Sequence, residues 1–240
     1  FATKSNLLYL INRSRYKYNT IYIAAGTRCA GTWLKEILIM VLDGYSGYHP
    51  QISGANGGNF DLNLKISSFI KKKLYVICSH TPPKTTNIKI LDTCLIKYLV
   101  TIRDPRDVTV SLYYHLKKYP CGPTSLWDYG VDRDLPWPTL SREILKLEKK
   151  EIIDNLIKNI MPSVLKFMEG WVDHSLKNEN VLVIKYEDLK INTQEVIRNI
   201  LVFYEIEVDD DKIIETINAL NPKNNNKIHI NYSSGRVPVN

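Results

Sequence analysis

Residues 23–33 read IAAGTRCAGTW and join a short apolar strand to a mostly apolar helical stretch. Small residues in such a loop let backbone N–H groups converge on an anion, and the helix N-terminus adds partial positive charge. Gly26 and Gly31 have the spacing of a Walker A loop, but the next two positions lack the Lys and the Ser or Thr of that motif. The cation of the loop is Arg28. The stretch therefore predicts a phosphate-binding strand–loop–helix unit and disfavours ATP hydrolysis.

Apolar runs without alternation recur along the chain, separated by longer amphipathic stretches. The runs that read as buried strands cover residues 20–24, 73–78, 98–102 and 181–184. The stretches that read as helices cover residues 32–42, 105–118, 141–159, 162–176, 193–204 and 209–220. Strands of this kind are expected where helices cover both faces of a parallel sheet. We therefore predict a single α/β domain over residues 1–240, with a doubly wound, mainly parallel sheet and helices on both faces.

Charge and composition limit the classes of protein to which this chain can belong. The chain has 240 residues and a net charge of +7, but its basic residues are dispersed. Dispersed charge favours a cleft for a small polyanion over a nucleic-acid surface, which would need a clustered basic stripe. The four cysteines form no CxxC pair, so no metal site is indicated. No apolar run approaches the roughly 18 residues of a membrane span, and no signal segment opens the chain, so we expect a cytoplasmic protein.

A second anion-binding segment follows the strand at 98–102. Residues 103–115 read RDPRDVTVSLYYH, with an arginine at the strand end and a serine two turns into the next helix. The guanidinium of Arg103 can present two donors to a phosphate, and the hydroxyl of Ser111 can meet the same phosphate from the side. An ordinary helix start would explain Pro105 and Asp107, but it leaves Arg103 and Ser111 without a role.

These segments resemble motifs of the sulfotransferase family. Residues 25–33 match its 5′-phosphosulfate loop, Thr-Tyr-Pro-Lys-Ser-Gly-Thr-Thr-Trp, position for position. Residues 103–115 are similar to its 3′-phosphate motif, Arg-x-Pro-x-Asp-x-x-x-Ser-x-Tyr-x-His. Residues 78–82 resemble its Lys-Thr-His-x-Pro segment, with Cys78 in place of the lysine. The resemblance implies a P-loop-like fold and the cofactor 3′-phosphoadenosine 5′-phosphosulfate (PAPS), with the product PAP.

The resemblance also implies which residues contact the cofactor. Arg28 and the loop amides would bind the 5′-phosphate, Trp33 would stack on adenine, and Arg103 with Ser111 would bind the 3′-phosphate. The loop residues implied as contacts are Arg28, Cys29, Ala30, Gly31, Thr32 and Trp33.

Further contacts are implied later in the chain. Tyr186 opens a Tyr-Glu-Asp-Leu segment and would lie beside the adenine, where Thr216 would add another contact. Gly235 and Arg236 match part of a C-terminal 3′-phosphate loop. The sequence stops where that loop would have a tryptophan, so we expect the C-terminal end of the domain to be incomplete.

The transfer requires a base that removes the acceptor proton, and a histidine near neutral pKa suits this role. His80 directly follows the strand at 73–78, and the matching family histidine is the base. Catalytic roles therefore fall to His80 and Arg28, and no metal is expected, since Arg28 supplies the charge that Mg²⁺ supplies in kinases.

Three functions remain open from the sequence. The first is a PAPS-dependent sulfotransferase that acts on a hydroxyl or amine of a small-molecule acceptor, without nucleic acid or a membrane span. The second is a P-loop-like nucleotide or small-molecule kinase, which needs the Walker A lysine that this loop lacks. The third is a basic nucleic-acid-binding domain, which the dispersed charge disfavours.

Overall fold

The computed structural model describes residues 20–46, 74–95, 97–118 and 142–220. Its strands are β1 (Thr20–Ala25), β2 (Tyr45–Ser46), β3 (Tyr75–Ser79), β4 (Tyr98–Ile102) and β5 (Val181–Lys185). Its α-helices are α1 (Gly31–Val41), α2 (Thr85–Cys94), α3 (Pro105–Lys118), α4 (Lys149–Asn159), α5 (Met161–Ser175), α6 (Tyr186–Ile191), α7 (Thr193–Phe203) and α8 (Asp210–Leu220). A 3₁₀ helix lies at Arg142–Lys146.

The strands form one sheet in the order β2-β3-β1-β4-β5, and every pairing is parallel. The central strand β1 is buried along nearly its whole length, as its continuous apolar run predicts. Since all strands run the same way, their carboxyl ends meet at one edge of the sheet, where ligands bind in folds of this kind.

Successive side chains of β1, β3, β4 and β5 enter two separate hydrophobic cores. Tyr22 packs with helices α2–α5 in one core, around the fully buried Trp171. Ile21 and Ile23 pack with α1 and α6–α8 in the other core. Helices thus cover both faces of the sheet, and the predicted α/β architecture is confirmed.

The local predictions differ from the structure in a few places. The helix predicted over residues 141–159 is wrong, because the chain forms the 3₁₀ helix and then starts α4 afresh after Glu148. Glu148 and Glu151 form a reciprocal capping box at this second start. The short elements β2, α2 and α6 were not predicted. No helix within the described part of the chain is long and apolar enough to cross a membrane.

Gly31 lets α1 begin directly against the sheet. A Cβ atom added at this residue would overlap Ala25 Cβ and lie 2.8 Å from Cys78 Sγ. Since Ala25 Cβ is fixed to a strand and cannot rotate away, α1 can start this close to β1 and β3 only if residue 31 has no side chain.

We predict that Gly31→Ala lowers the free energy of unfolding by about 1–3 kcal/mol, because the strand backbone must move to admit the methyl group. Urea unfolding measures this change. Gly44→Ala is the matched control, since its nearest neighbour would be Leu74 O at 3.5 Å, an ordinary contact. A loss at Gly31 no larger than at Gly44 would contradict the close packing.

Candidate active site

Each of four neighbouring strands ends in a residue or loop that the sequence marks as functional. His80 follows β3, residues 26–30 follow β1, Arg103 follows β4 and Tyr186 follows β5. The strand order β3-β1-β4-β5 and the parallel alignment place these four segments side by side at the carboxyl edge of the sheet. The candidate site is therefore built from strand ends that are far apart in the sequence.

The loop after β1 has the backbone shape of an anion site. Arg28 and Ala30 both have φ 58°, a left-handed conformation that costs about 1–3 kcal/mol for residues other than glycine. The first helical hydrogen bond of α1 runs from Leu34 N to Ala30 O. The amides of residues 31–33 precede that bond, and no described side chain caps the helix at Ala30. These amides are therefore available to an anion.

The loop is fixed to the sheet through Gly26. Its amide donates to Thr101 O over 2.9 Å, and a Cβ there would lie 2.7 Å from Cys29 Sγ. The Cys29 side chain is buried, and burial raises the pKa of its thiol to about 12. Cys29 can therefore offer only its backbone to a cofactor.

Arg28 and Arg103 meet beside α3. Arg28 Nε donates to Ser111 Oγ over 3.0 Å, and Arg103 Nη1 donates to the Arg28 carbonyl over 3.1 Å. The two predicted anion-binding segments are thus joined in one cluster: Arg28, Ser111 and Arg103.

Contacts with the end of β5 orient Arg103 further. The guanidinium carbon of Arg103 lies 3.9 Å from the centroid of the Tyr186 ring, within range of a cation–π contact. Asp107 approaches Arg103 Nη2 at 3.8 Å, with an exposed carboxylate. Glu187 Oε1 accepts a hydrogen bond from Asp104 N over 3.1 Å, which holds the β5–α6 junction against the β4–α3 junction.

Two buried donors of the site have no hydrogen-bond partner among the described residues: Arg103 Nε and Trp33 Nε1. An unsatisfied buried donor costs about 1–3 kcal/mol, so such atoms call for a partner such as a bound ligand. Thr32, at the start of α1, is exposed. The donors of Arg103, Ser111 and the loop amides fit an anionic nucleotide, whose phosphate oxygens accept hydrogen bonds.

His80 is fixed in one tautomer. Its Nδ1 lies 2.8 Å from the Ala25 carbonyl at the end of β1. Because a carbonyl oxygen can only accept, Nδ1 carries the proton and Nε2 keeps its lone pair. Burial lowers the pKa of His80 below its ordinary value of 6.5; the Ala25 bond opposes this shift and the Arg28 charge adds to it. The ring is therefore neutral at pH 7, as a general base must be.

Four residues that the sequence analysis singled out are not part of the described cluster: Cys78, Thr216, Gly235 and Arg236. Cys78 packs against Gly31, and since a thiol carries no positive charge in either protonation state, it does not replace the cation of the family motif. Thr216 is buried on α8, and no described contact joins it to the Arg28, Ser111 and Arg103 cluster. Gly235 and Arg236 lie outside the described residues.

Two of the contacts that were not predicted fix the backbone frame of the site. The Ala25 carbonyl orients His80, and Glu187 binds the amide of Asp104. A backbone carbonyl carries no sequence signature, and its role depends on β1 and β3 being neighbours. Within the described ranges, no group of three His, Cys, Asp or Glu side chains is placed to hold a metal ion.

Curated and solved proteins share this architecture. The chain is 26% identical over 148 residues to Sulfotransferase 6B1 of Danio rerio, covering 58% of this chain but only 41% of that protein. The crystal structure of mouse sulfotransferase SULT7A1 complexed with PAP is similar at a TM-score of 0.57 and 18% identity, covering 93% of this chain and 72% of that one. The crystal structure of retinol dehydratase in complex with androsterone and the inactive cofactor PAP is similar at a TM-score of 0.52 and 18% identity. The match covers 90% of this chain and 69% of that one.

A family model described as the sulfotransferase domain matches residues 19–234, nearly the whole chain. The matched range includes all described strands and helices, together with the loop after β1, His80 and Arg103. The chain belongs to the sulfotransferase domain family.

Proposed function

We propose that this chain transfers the sulfuryl group of PAPS to a hydroxyl or amine of a small-molecule acceptor. The observation that carries the proposal is the contact of Arg28 with both Ser111 and Arg103, which joins the loop after β1 to the segment after β4. The family membership of the chain supports the same activity. A nucleotide that carries phosphates at both its 5′ and 3′ positions would engage the two segments together.

Each part of the cluster has a distinct role. Bound PAPS would supply the sulfuryl group, and PAP would be the product released. Arg28 and the amides of residues 31–33 stabilise the negative charge that develops on the 5′-phosphate as the bond to sulfur breaks. Arg103 presents its guanidinium, and Ser111 its hydroxyl, to the 3′-phosphate. The Tyr186 ring, which lies against Arg103, would keep that guanidinium in place beside the adenosine.

His80 acts as the general base in this proposal. Its Nε2 lone pair accepts the acceptor proton as the new bond to sulfur forms, while Ala25 O holds the Nδ1 proton. The imidazolium that results is disfavoured by burial and by Arg28, so it returns its proton readily once product leaves.

The acceptor is assigned only as a class. Structures of retinol dehydratase contain androsterone or retinol, which are small molecules with a hydroxyl group. We extend this class to the present chain as part of the proposal. A kinase activity is the weaker candidate, because position 32 of the loop is Thr where Walker A has its lysine.

PAP should stabilise the chain more than ADP does, because only PAP offers a 3′-phosphate to Arg103 and Ser111. At a concentration of 100 Kd, PAP adds about 2.7 kcal/mol to the free energy of unfolding, which a thermal melt detects as a raised Tm. Equal Tm shifts for PAP and ADP would contradict a 3′-phosphate site.

Arg103→Lys should raise the Kd of PAP about tenfold or more and leave that of ADP nearly unchanged, since lysine cannot reproduce the guanidinium fork. Arg198→Lys is the matched control, because Arg198 pairs with Asp210 on the surface of α7 and α8. Titration calorimetry measures both constants. A similar loss of PAP affinity in the two variants would exclude the assigned role of Arg103.

His80→Asn should lower turnover by about a hundredfold or more and keep the Kd of PAP, because asparagine retains a polar side chain but cannot accept the proton. Radiolabelled PAPS is offered with a phenol, an aliphatic alcohol, a hydroxysteroid, an aryl amine and a monosaccharide, and sulfated product is counted.

The pH profile of the wild-type protein provides an independent check. Because the pKa of His80 is lowered, kcat/KM should decrease toward acidic pH with a midpoint below pH 6.5. Unchanged turnover in His80→Asn, or an acidic loss centred above pH 6.5, would remove His80 from the mechanism.

A further inference from the structure

The segment that carries His80 is held by two buried aromatic side chains from other elements. The Tyr22 hydroxyl on β1 shares a short hydrogen bond with Thr81 Oγ1. Trp171 Nε1 on α5 donates to the Thr81 carbonyl over 3.0 Å. All three residues are fully buried, so these bonds are shielded from water. The residue next to His80 is therefore fixed through both its side chain and its backbone.

The following residues are fixed as well. Asn87, which is buried on α2, donates to Pro82 O over 3.0 Å. A Cβ at Gly170 would lie 2.6 Å from Pro83 Cγ, so α5 packs directly on this proline. Three successive residues after His80 are thus held by side chains or close packing from β1, α2 and α5.

His80 itself is attached on its other side. Its Nδ1 bonds to Ala25 O, and Ala25 is three residues along β1 from Tyr22. The same strand therefore holds the imidazole directly and the next residue through a side chain. Any shift of the Thr81 backbone would change the distance between His80 Nδ1 and its carbonyl partner.

We propose that Tyr22 and Trp171 are positioning residues, which fix the orientation and the tautomer of His80 by holding Thr81. The role rests on the proposed function, in which His80 is the base. The Trp171 ring in turn packs edge-on against Phe167 and Tyr98, so its indole N–H is itself fixed in direction. A displacement of a catalytic group by about 1 Å can cost roughly a hundredfold in rate, which is why such fixing matters.

The test removes the hydroxyl contact without removing the ring. Tyr22→Phe and Thr81→Val each delete the shared hydrogen bond. Thr81→Ser keeps the hydroxyl, so it should retain the wild-type behaviour of His80. Thr109→Val is the matched control: Thr109 is also buried, but its hydroxyl donates to Pro105 O within its own helix α3. Each variant is labelled with ¹⁵N-histidine, and the His80 ring signals are assigned by their loss in His80→Asn.

In the wild type, Thr109→Val and Thr81→Ser, the two His80 nitrogens should give well-separated signals, with Nδ1 protonated and Nε2 not. In Tyr22→Phe and Thr81→Val the two signals should move toward each other, because the tautomers now exchange. Turnover on the best acceptor of the panel should fall about tenfold or more in these two variants, with the Kd of PAP and the acceptor KM nearly unchanged.

The outcomes separate the two proposals. Unchanged His80 signals in Tyr22→Phe, or equal changes in Thr109→Val, would overturn the positioning role and leave only a structural one. Full turnover in His80→Asn would instead overturn the role of His80 as the base. The nitrogen signals would still report in that case whether Tyr22 holds the ring, since they require no acceptor.

Discussion

The close approach of α1 to the sheet at Gly31 is the constraint on which the site depends. It places the free amides at the start of α1 directly above the ends of β1 and β3, where a side chain at residue 31 would overlap Ala25. Two residues of the loop that leads into α1, Arg28 and Ala30, adopt the strained left-handed conformation. Strain and close packing together give the end of a buried strand the backbone shape that the proposed anion site requires.

Two cationic side chains, Arg28 and Arg103, lie together at the candidate site. Arg28 and Arg103 are held by a hydroxyl, a carbonyl and an aromatic face, which orient the two guanidinium groups but carry no formal charge. The exposed carboxylate of Asp107 lies 3.8 Å from Arg103. Asp104 bonds to the neighbouring Arg106 instead, with Nε and Oδ1 3.0 Å apart. The paired arginines therefore favour a multiply charged anion such as a nucleotide with two phosphate positions.

The sequence predicted the elements that local pattern controls and missed those that depend on contacts across the sheet. Apolar runs located the four long strands, and motif spacing singled out Arg28, Arg103 and Ser111, which the structure brings into contact. The break before α4 was missed because its cap comes from two glutamates, which are common throughout a helix. The partners of His80 and Thr81 were missed because they depend on β1 lying beside β3 and on α5 crossing behind them, neither of which a single sequence specifies.

A crystal structure of the chain with PAP would test the central claim most directly. We expect the 5′-phosphate on the amides of residues 31–33 and the 3′-phosphate within hydrogen-bond distance of Ser111 Oγ and the guanidinium of Arg103. Arg103 Nε, which has no described partner, should gain one. A PAP molecule whose 3′-phosphate contacts neither Arg103 nor Ser111 would contradict the assignment of this edge of the sheet as the cofactor site.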